Sequence, residues 1–300
     1  MNQAQKLDAH DIAKMSNEEL SRLEREIARR HIGGLSWFMV VWPFANLFCW
    51  LSLWPLVLTG TLSPWAAFPI AFFNISYSYL PSHEAQHDIY ARPGDKLRWL
   101  NELIGHASVI PLVSSYRVLK MTHLEHHKHT NNPDLDPDYD SHAPSALSAI
   151  WKSLKIRNPK SEQLLSYEKT LDRLDPEQAG LAKRDGIVIN LTYLAVLFAM
   201  AATGHALEAF LLWVLPLVLA LVYIRFFLAW APHHPGHETG RYRDTRAFKS
   251  LFGVIGTMGM TVHIVHHLHP RIPLDRTPAA FRELRPILEA RKCDLGGLYE

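Results

Sequence analysis

From Ile32 to Ser82 the chain runs for 51 residues without an aspartate, glutamate, lysine or arginine. A second stretch, Ile187 to Ile224, contains a single charged residue, Glu208. Roughly 20 apolar residues carry an α-helix across the hydrocarbon core of a bilayer, so each stretch is long enough to cross twice. The pattern predicts four spans, at about 35–59, 62–80, 187–204 and 207–230, paired through the short turns Thr59-Gly60-Thr61 and Thr203-Gly204-His205. The competing reading is a set of buried core helices in a soluble protein. Trp37, Trp65 and Trp230 at predicted span ends favour a lipid interface. Average composition hides this: the mean hydropathy is near zero and the formal net charge only +2.

The basic residues set an orientation. Residues 1–34 hold six Lys and Arg, residues 81–186 hold fourteen, and residues 231–300 hold ten; Arg225 is the remaining one, and the hairpin turns have none. The positive-inside tendency then places both termini and the long middle segment in the cytoplasm. The expected fold is an all-α integral membrane protein of one domain, 1–300. It has a cytoplasmic N-terminal helix in 1–34 and transmembrane hairpins at 35–80 and 187–230. A cytoplasmic helical cap comes from 81–186 and 231–300. Ser16 and Glu19 have capping-box spacing and open a surface helix to about Arg30, read as plainly solvated. Residues 97–116 are apolar but interrupted by Arg98, Asn101, Glu102 and His106, and are read as interfacial or re-entrant. Residues 251–262 are too short to span and are expected to form a helix against the membrane face. Cys49 and Cys293 make a structural disulfide implausible. About thirty polar residues precede the first apolar stretch, so no cleavable signal peptide is expected.

Most of the eighteen histidines are clustered. "HEAQH" supplies His83 and His87. "HLEHHKH" supplies His123, His126, His127 and His129. "HIVHHLH" supplies His263, His266, His267 and His269. On a helix, positions i, i+3 and i+4 share a face, so each H-x-x-H-H aims three imidazoles one way. At this histidine frequency about 0.06 matches to H-x-x-H-H arise by chance, and two occur. "HEAQH" also satisfies the helical zinc-protease pattern with Glu84 as base. That chemistry needs one further ligand and leaves six box histidines idle. Eight imidazoles are too many for one tetrahedral zinc and suit two metals of higher coordination number. Imidazole alone does not choose among iron, zinc, copper and nickel; an oxygen-rich membrane site favours iron. A metal transporter would need ionisable ligands within the spans, and the first two spans have none.

In these residues the chain resembles the membrane fatty acid desaturase and hydroxylase superfamily, over roughly residues 35–290. The resemblance implies a non-haem diiron centre, O₂ as co-substrate and an external electron donor of ferredoxin, rubredoxin or cytochrome type. It implies metal ligation by His83, His87, His123, His126, His127, His263, His266 and His267. A ninth ligand is expected among His233, His234 and His237, with His233 favoured because "PHHPGHETGRYRDTR" is similar to a stretch of bacterial carotenoid ring hydroxylases. His129 and His269 are weaker candidates, and His106, His142 and His205 are read as structural or solvated. Asp134, Asp136, Asp138 and Asp140 follow the second box. Glu84, Asp134 and Asp138 are selected as groups that would orient ligating histidines through their second nitrogen. Arg225 is expected to pair with one of the acids or reach the interface. "HPGH" lacks the second glycine of a cytochrome b5 haem loop, so electrons would come from a separate protein. Arg241, Arg243, Arg246 and Lys249 offer it a basic surface. The implied substrate is an apolar lipid: a fatty-acyl chain, with a carotenoid ring as alternative. No nucleic-acid partner is expected, and the implied location is a bacterial inner membrane with the boxes cytoplasmic.

Overall fold

The computed structural model describes residues 9–12, 14–34, 37–158 and 160–296. Every regular element among the described residues is helical. The chain divides into two compact units, residues 35–231 in one and residues 1–34 with 232–300 in the other.

In the larger unit, Trp37–Leu58, Pro176–Ala202 and Ala206–His233 are long and apolar enough to cross a membrane. The remaining predicted span lies in the helix Pro64–Gln86, which has 23 residues. Its length suffices, but Asn74, Ser76, Ser78, Ser82, His83 and Glu84 are all buried along it and lower its apolar content. Prolines at the first helical turn start both Pro64–Gln86 and Pro176–Ala202, where a missing N–H costs no hydrogen bond. The hairpin turns close through Gly60 and Gly204, at φ +74° and +84°, a region open to glycine without strain.

The first hairpin is fastened by a polar clasp. Asn46 donates to the Asn74 carbonyl and Asn74 donates back to the Asn46 side chain, each at 2.8 Å. Such bonds between apolar helices join them where hydrophobic burial gives no preference. Trp50, Trp54, Tyr193 and Trp213 form an aromatic knot, with Trp50 and Trp213 centroids 5.2 Å apart. Trp213 donates to the Pro111 carbonyl at 2.8 Å. Trp37 and Trp65 point outward, whereas Trp230 donates to the Ala143 carbonyl at 2.9 Å.

The exposed faces of these helices carry large apolar side chains. Only 6% of the apolar window of Pro176–Ala202 is buried, against 44% for Ala206–His233. Ile187, Leu191 and Phe198, like Phe38 and Phe48 on the first helix, are exposed. A surface of this kind needs a non-aqueous cover. Arg225 pairs with Asp140 at 2.9 Å, both side chains largely buried, so the charge within the apolar helix Ala206–His233 is paired inside the protein. Residues 98–108 form an 11-residue helix, Arg98–Ser108, about 16 Å long and far short of a crossing.

In the smaller unit the N-terminal helix Asn17–His31 opens with the expected capping box, Glu19 N–H to Ser16 and Ser16 N–H to Glu19. The plainly solvated reading of this helix is corrected: Leu20, Ile27 and Ala28 are buried, and the helix packs on Thr277–Ala290 around Phe281, Leu284 and Ile287. Glu24 lies in this interface. It accepts from Arg241 at 2.9 Å and Tyr242 at 2.8 Å and stands 3.1 Å from His269. The continuous helix expected over 251–262 is also corrected. It is a single turn, Gly253–Gly256, and a 3-10 turn, Met260–Val262. Gly253, Met258 and Gly259 adopt φ of +62°, +55° and +81°, which no continuous right-handed helix allows.

Burial alone would raise the pKa of Glu24, but hydrogen bonds from His269, Arg241 and Tyr242 outweigh it and bring the group from 4.5 to about 2. A depressed folded pKa contributes stability that is present above 4.5 and is lost as pH falls toward about 2. Hydrogen-exchange protection of Asn17–His31 should decline across that window. Glu24→Gln should lower it already at neutral pH, by about 1–3 kcal/mol, and flatten the acid dependence.

Candidate metal centre

The first histidine box sits where an apolar helix ends. His83 is in the last turn of Pro64–Gln86, and His87 is its C-cap. This end is held from two directions. The Ala85 carbonyl accepts from the Tyr116 hydroxyl at 2.9 Å and from the Asn101 amide at 3.0 Å. One residue past the cap, Asp88 (φ +57°) pairs with Arg98 at 2.5 Å and with Lys120 at 2.7 Å. Burial raises the pKa of Asp88, and its bonds to Arg98 and Lys120 bring it below the ordinary carboxylate value.

Tyr116 also starts the helix that carries the second box. Tyr116–His129 is capped by Ser115, which accepts from the Val118 N–H. Its spacing puts His123, His126 and His127 on one side. His87 Nε2 and His127 Nε2 lie 2.9 and 3.2 Å from His123 Nε2. The ring of His83 is 4.7 Å from that of His123 and 5.2 Å from that of His87. Ligand atoms of His83, His87 and His123 all fall within 4.8 Å of one another. Burial pushes the pKa values of His87 and His123 well below the ordinary imidazole value, and neighbouring histidines add to the shift, with Lys120 also acting on His87. Neutral imidazole is the form that binds metal.

His126 turns its Nδ1 to Asp136 Oδ1 at 2.8 Å. Burial raises the pKa of Asp136, but His126 and the N–H groups of Asp138 and Asn131 bring it down, so it is a carboxylate and accepts. His126 then carries its proton on Nδ1 and presents Nε2 as a donor atom, an arrangement common behind metal-bound histidine.

The smaller unit gathers a second set. His263, His266 and His267 occupy the short helix His263–Leu268 at i, i+3 and i+4. His233, near the start of this unit's second segment, joins them: its ring is 5.2 Å from His263 and 4.9 Å from His267. His233 Nδ1 is 3.1 Å from the Asp244 carbonyl, which can only accept, so the proton is on Nδ1 and Nε2 faces away with its lone pair. His234 is partly buried and His237 exposed. The donor set of each unit, clustered imidazoles of which one (His126 or His233) has its second nitrogen held by a carboxylate or carbonyl, fits a first-row transition metal such as iron.

The sequence pattern of the fatty acid desaturase family matches residues 59–294, which include all three boxes. This chain belongs to the fatty acid desaturase family. Its curated relatives include an sn-1 oleoyl-lipid 12-desaturase of Anabaena variabilis, 30% identical over 103 residues, 34% of this chain and 28% of the relative. An sn-1 acyl-lipid omega-3 desaturase (ferredoxin) of Nostoc is 26% identical over 221 residues, 69% of this chain and 61% of the relative. A zeaxanthin 4-ketolase of Chlamydomonas reinhardtii is 24% identical over 230 residues, 73% and 45%. The chain spans less than two thirds of the length of each.

The acids near the boxes differ in what they touch. Of the four acids after the second box, Asp136 is the one that meets a box histidine. Asp134 is exposed in the loop, and Asp138 accepts from the Tyr167 hydroxyl at 2.8 Å. Glu84 is buried 3.8 Å from His83 Nδ1. His129 and His269 stand beside Glu125 and Glu24, at 3.5 and 3.1 Å. Arg241 is engaged with Glu24 and Arg243 with the Lys292 carbonyl, while Lys249 is exposed. Tyr116, Asn101 and Asp88 carry no signature in the sequence. Gly105 does carry one: a Cβ there would lie 2.5 Å from the Tyr116 ring.

Asp136→Asn should leave the helix Tyr116–His129 in place while weakening metal retention about 10–100-fold, read by competition against a chelator. Gly105→Ala should displace Tyr116 from the Ala85 carbonyl and destabilise the larger unit by about 1–3 kcal/mol, read as a lower midpoint of thermal unfolding in detergent.

Proposed function

We propose that this chain is an integral membrane oxidoreductase that uses two non-haem irons and O₂ to desaturate or hydroxylate an apolar lipid. The observation that carries the reading is the gathering of box histidines within each unit, in a chain of the fatty acid desaturase family. In this reading the metal ligands are His83, His87, His123, His126 and His127 in one unit and His233, His263, His266 and His267 in the other. The irons, when bound, supply activation of O₂ and removal of hydrogen from an unactivated C–H bond.

The protein's own residues do the rest. Asp136 and the Asp244 carbonyl fix which nitrogen of His126 and of His233 is offered. Asp88, Tyr116 and Asn101 keep the first box in register with the second. The apolar helices receive the lipid and exclude water from the reacting carbon. The proposed topology has four crossings with the boxes and both termini cytoplasmic. Pro64–Gln86 turns its polar side inward as the second crossing. Electrons come from a separate donor, and the naming of the Nostoc relative supports a ferredoxin.

A fatty-acyl chain is the substrate proposed first, as in the desaturase relatives. A carotenoid ring is the second reading, favoured by the zeaxanthin ketolase and by a β-carotene ketolase of Paracoccus, 25% identical over 174 residues, 55% of this chain and 58% of the relative.

Metal analysis of protein purified in nanodiscs should give two irons per chain, and His126→Ala should reduce iron content and abolish turnover while membrane insertion persists. One zinc per chain would end the proposal. Expression in a host that makes both acyl lipids and β-carotene, followed by mass spectrometry of extracts, should show new unsaturated or hydroxylated acyl chains. Oxidised carotenoid alone would select the second reading.

A further inference from the structure

Within the larger unit, between the second box and the second apolar hairpin, the nine-residue helix Ala146–Leu154 has two unlike faces. Ala149 and Ser153 are buried and pack it against Leu215–Ile224 and Arg225–Trp230, the body of an apolar helix long enough to cross a membrane. Small residues at i and i+4 allow that close approach. The opposite face carries Leu147, Ile150, Trp151 and Leu154, at i, i+3, i+4 and i+7, all exposed. A soluble helix would reverse this pattern, with its large apolar side chains inward.

Cations follow the stripe. Lys155 lies over the Trp151 ring at 5.0 Å, and Arg157 and Lys160, three and six residues past Leu154 in sequence, are exposed. Arg157 reaches back to the side chain of Asn190 at 3.3 Å and sits 5.4 Å from the Tyr193 ring. Asn190 and Tyr193 belong to Pro176–Ala202, whose neighbouring Ile187, Leu191 and Leu194 are themselves exposed. Arg157 therefore ties the segment that follows the stripe to the exposed apolar surface of a helix long enough to cross a membrane, near where that helix changes from charged to uncharged residues. An aromatic and aliphatic face edged by Lys and Arg is the composition of a helix lying in the headgroup boundary.

We propose that Ala146–Leu154 is an interfacial membrane helix, with Leu147, Ile150, Trp151 and Leu154 inserted among acyl chains and Lys155, Arg157 and Lys160 binding anionic phospholipid headgroups. The proposal goes beyond the oxidase reading. It needs the apolar helices to be in a bilayer and does not need the metal chemistry.

The test uses the full chain in nanodiscs, with Cys49→Ser and Cys293→Ser as background and an environment-sensitive label at Leu147→Cys or, separately, Trp151→Cys. Nitroxide-bearing lipid should quench both labels and aqueous iodide should not. Free access to iodide, or energy transfer between two labelled copies that hide the stripe from lipid, would overturn insertion. In discs of mixed phosphatidylcholine and phosphatidylglycerol, spin-labelled phosphatidylglycerol should be immobilised in preference to phosphatidylcholine. That preference should vanish in the triple variant Lys155→Gln, Arg157→Gln, Lys160→Gln. A preference unchanged in the triple variant would overturn headgroup binding. Either failure leaves iron content where it was, so it is separable from a failure of the oxidase reading.

Discussion

The carbonyl of Ala85 is where the apolar part of the molecule is fixed to its chemistry. It lies in the last turn of Pro64–Gln86, between His83 and His87, where helix geometry leaves carbonyls in want of donors. Tyr116 and Asn101 supply them from two different helices. Because Tyr116 begins the helix of the second box, the bond sets the distance from His83 and His87 to His123 and His127. Asp88 repeats the linkage with charge, through Arg98 and Lys120. A metal site would require imidazole positions good to a fraction of an ångström, and the contacts that set the positions of these rings involve backbone and hydroxyl groups well away from the nitrogens.

The same economy appears in the smaller unit on other terms. Three of its clustered histidines, His263, His266 and His267, sit on a helix of six residues, too short to be stable alone. Ile264, Val265 and Leu268 on that helix are buried against Phe281, Leu284 and Ile287, so the box is carried by a hydrophobic core rather than by helix propensity. Glu24, Arg241 and Tyr242 then bind the N-terminal helix to the loop that follows His233.

Periodic features were legible in the sequence, and contacts between distant residues were not. Charge-free runs and glycine turns marked the apolar hairpins, and i, i+3, i+4 spacing marked the helices of the boxes. Three predicted crossings coincide with helices of crossing length and composition; the fourth falls in Pro64–Gln86, where inward-facing serines and an asparagine dilute the apolar signal. Asp136 could not be told from Asp134 or Asp138 by spacing, because the choice is made by the loop: its carboxylate also accepts from Asn131 and Asp138 N–H, which aims it at His126. The helix expected over 251–262 failed because apolar composition said nothing of the left-handed conformations at Gly253, Met258 and Gly259. The role of Tyr116 depends on partners 31 and 15 residues away, beyond the reach of any local pattern.

Gly105 bears on how a chain of this design can diverge. Since the phenol ring of residue 116 fills the space a side chain at 105 would need, the two sites are free to vary only in concert. A bulkier residue at one is compatible with the fold once the other has shrunk, and by then the hydroxyl that holds residue 85 is gone. Descendants of such a sequence must cross that gap in one step or keep both residues, so the pair is expected to persist as stubbornly as the imidazoles it aligns.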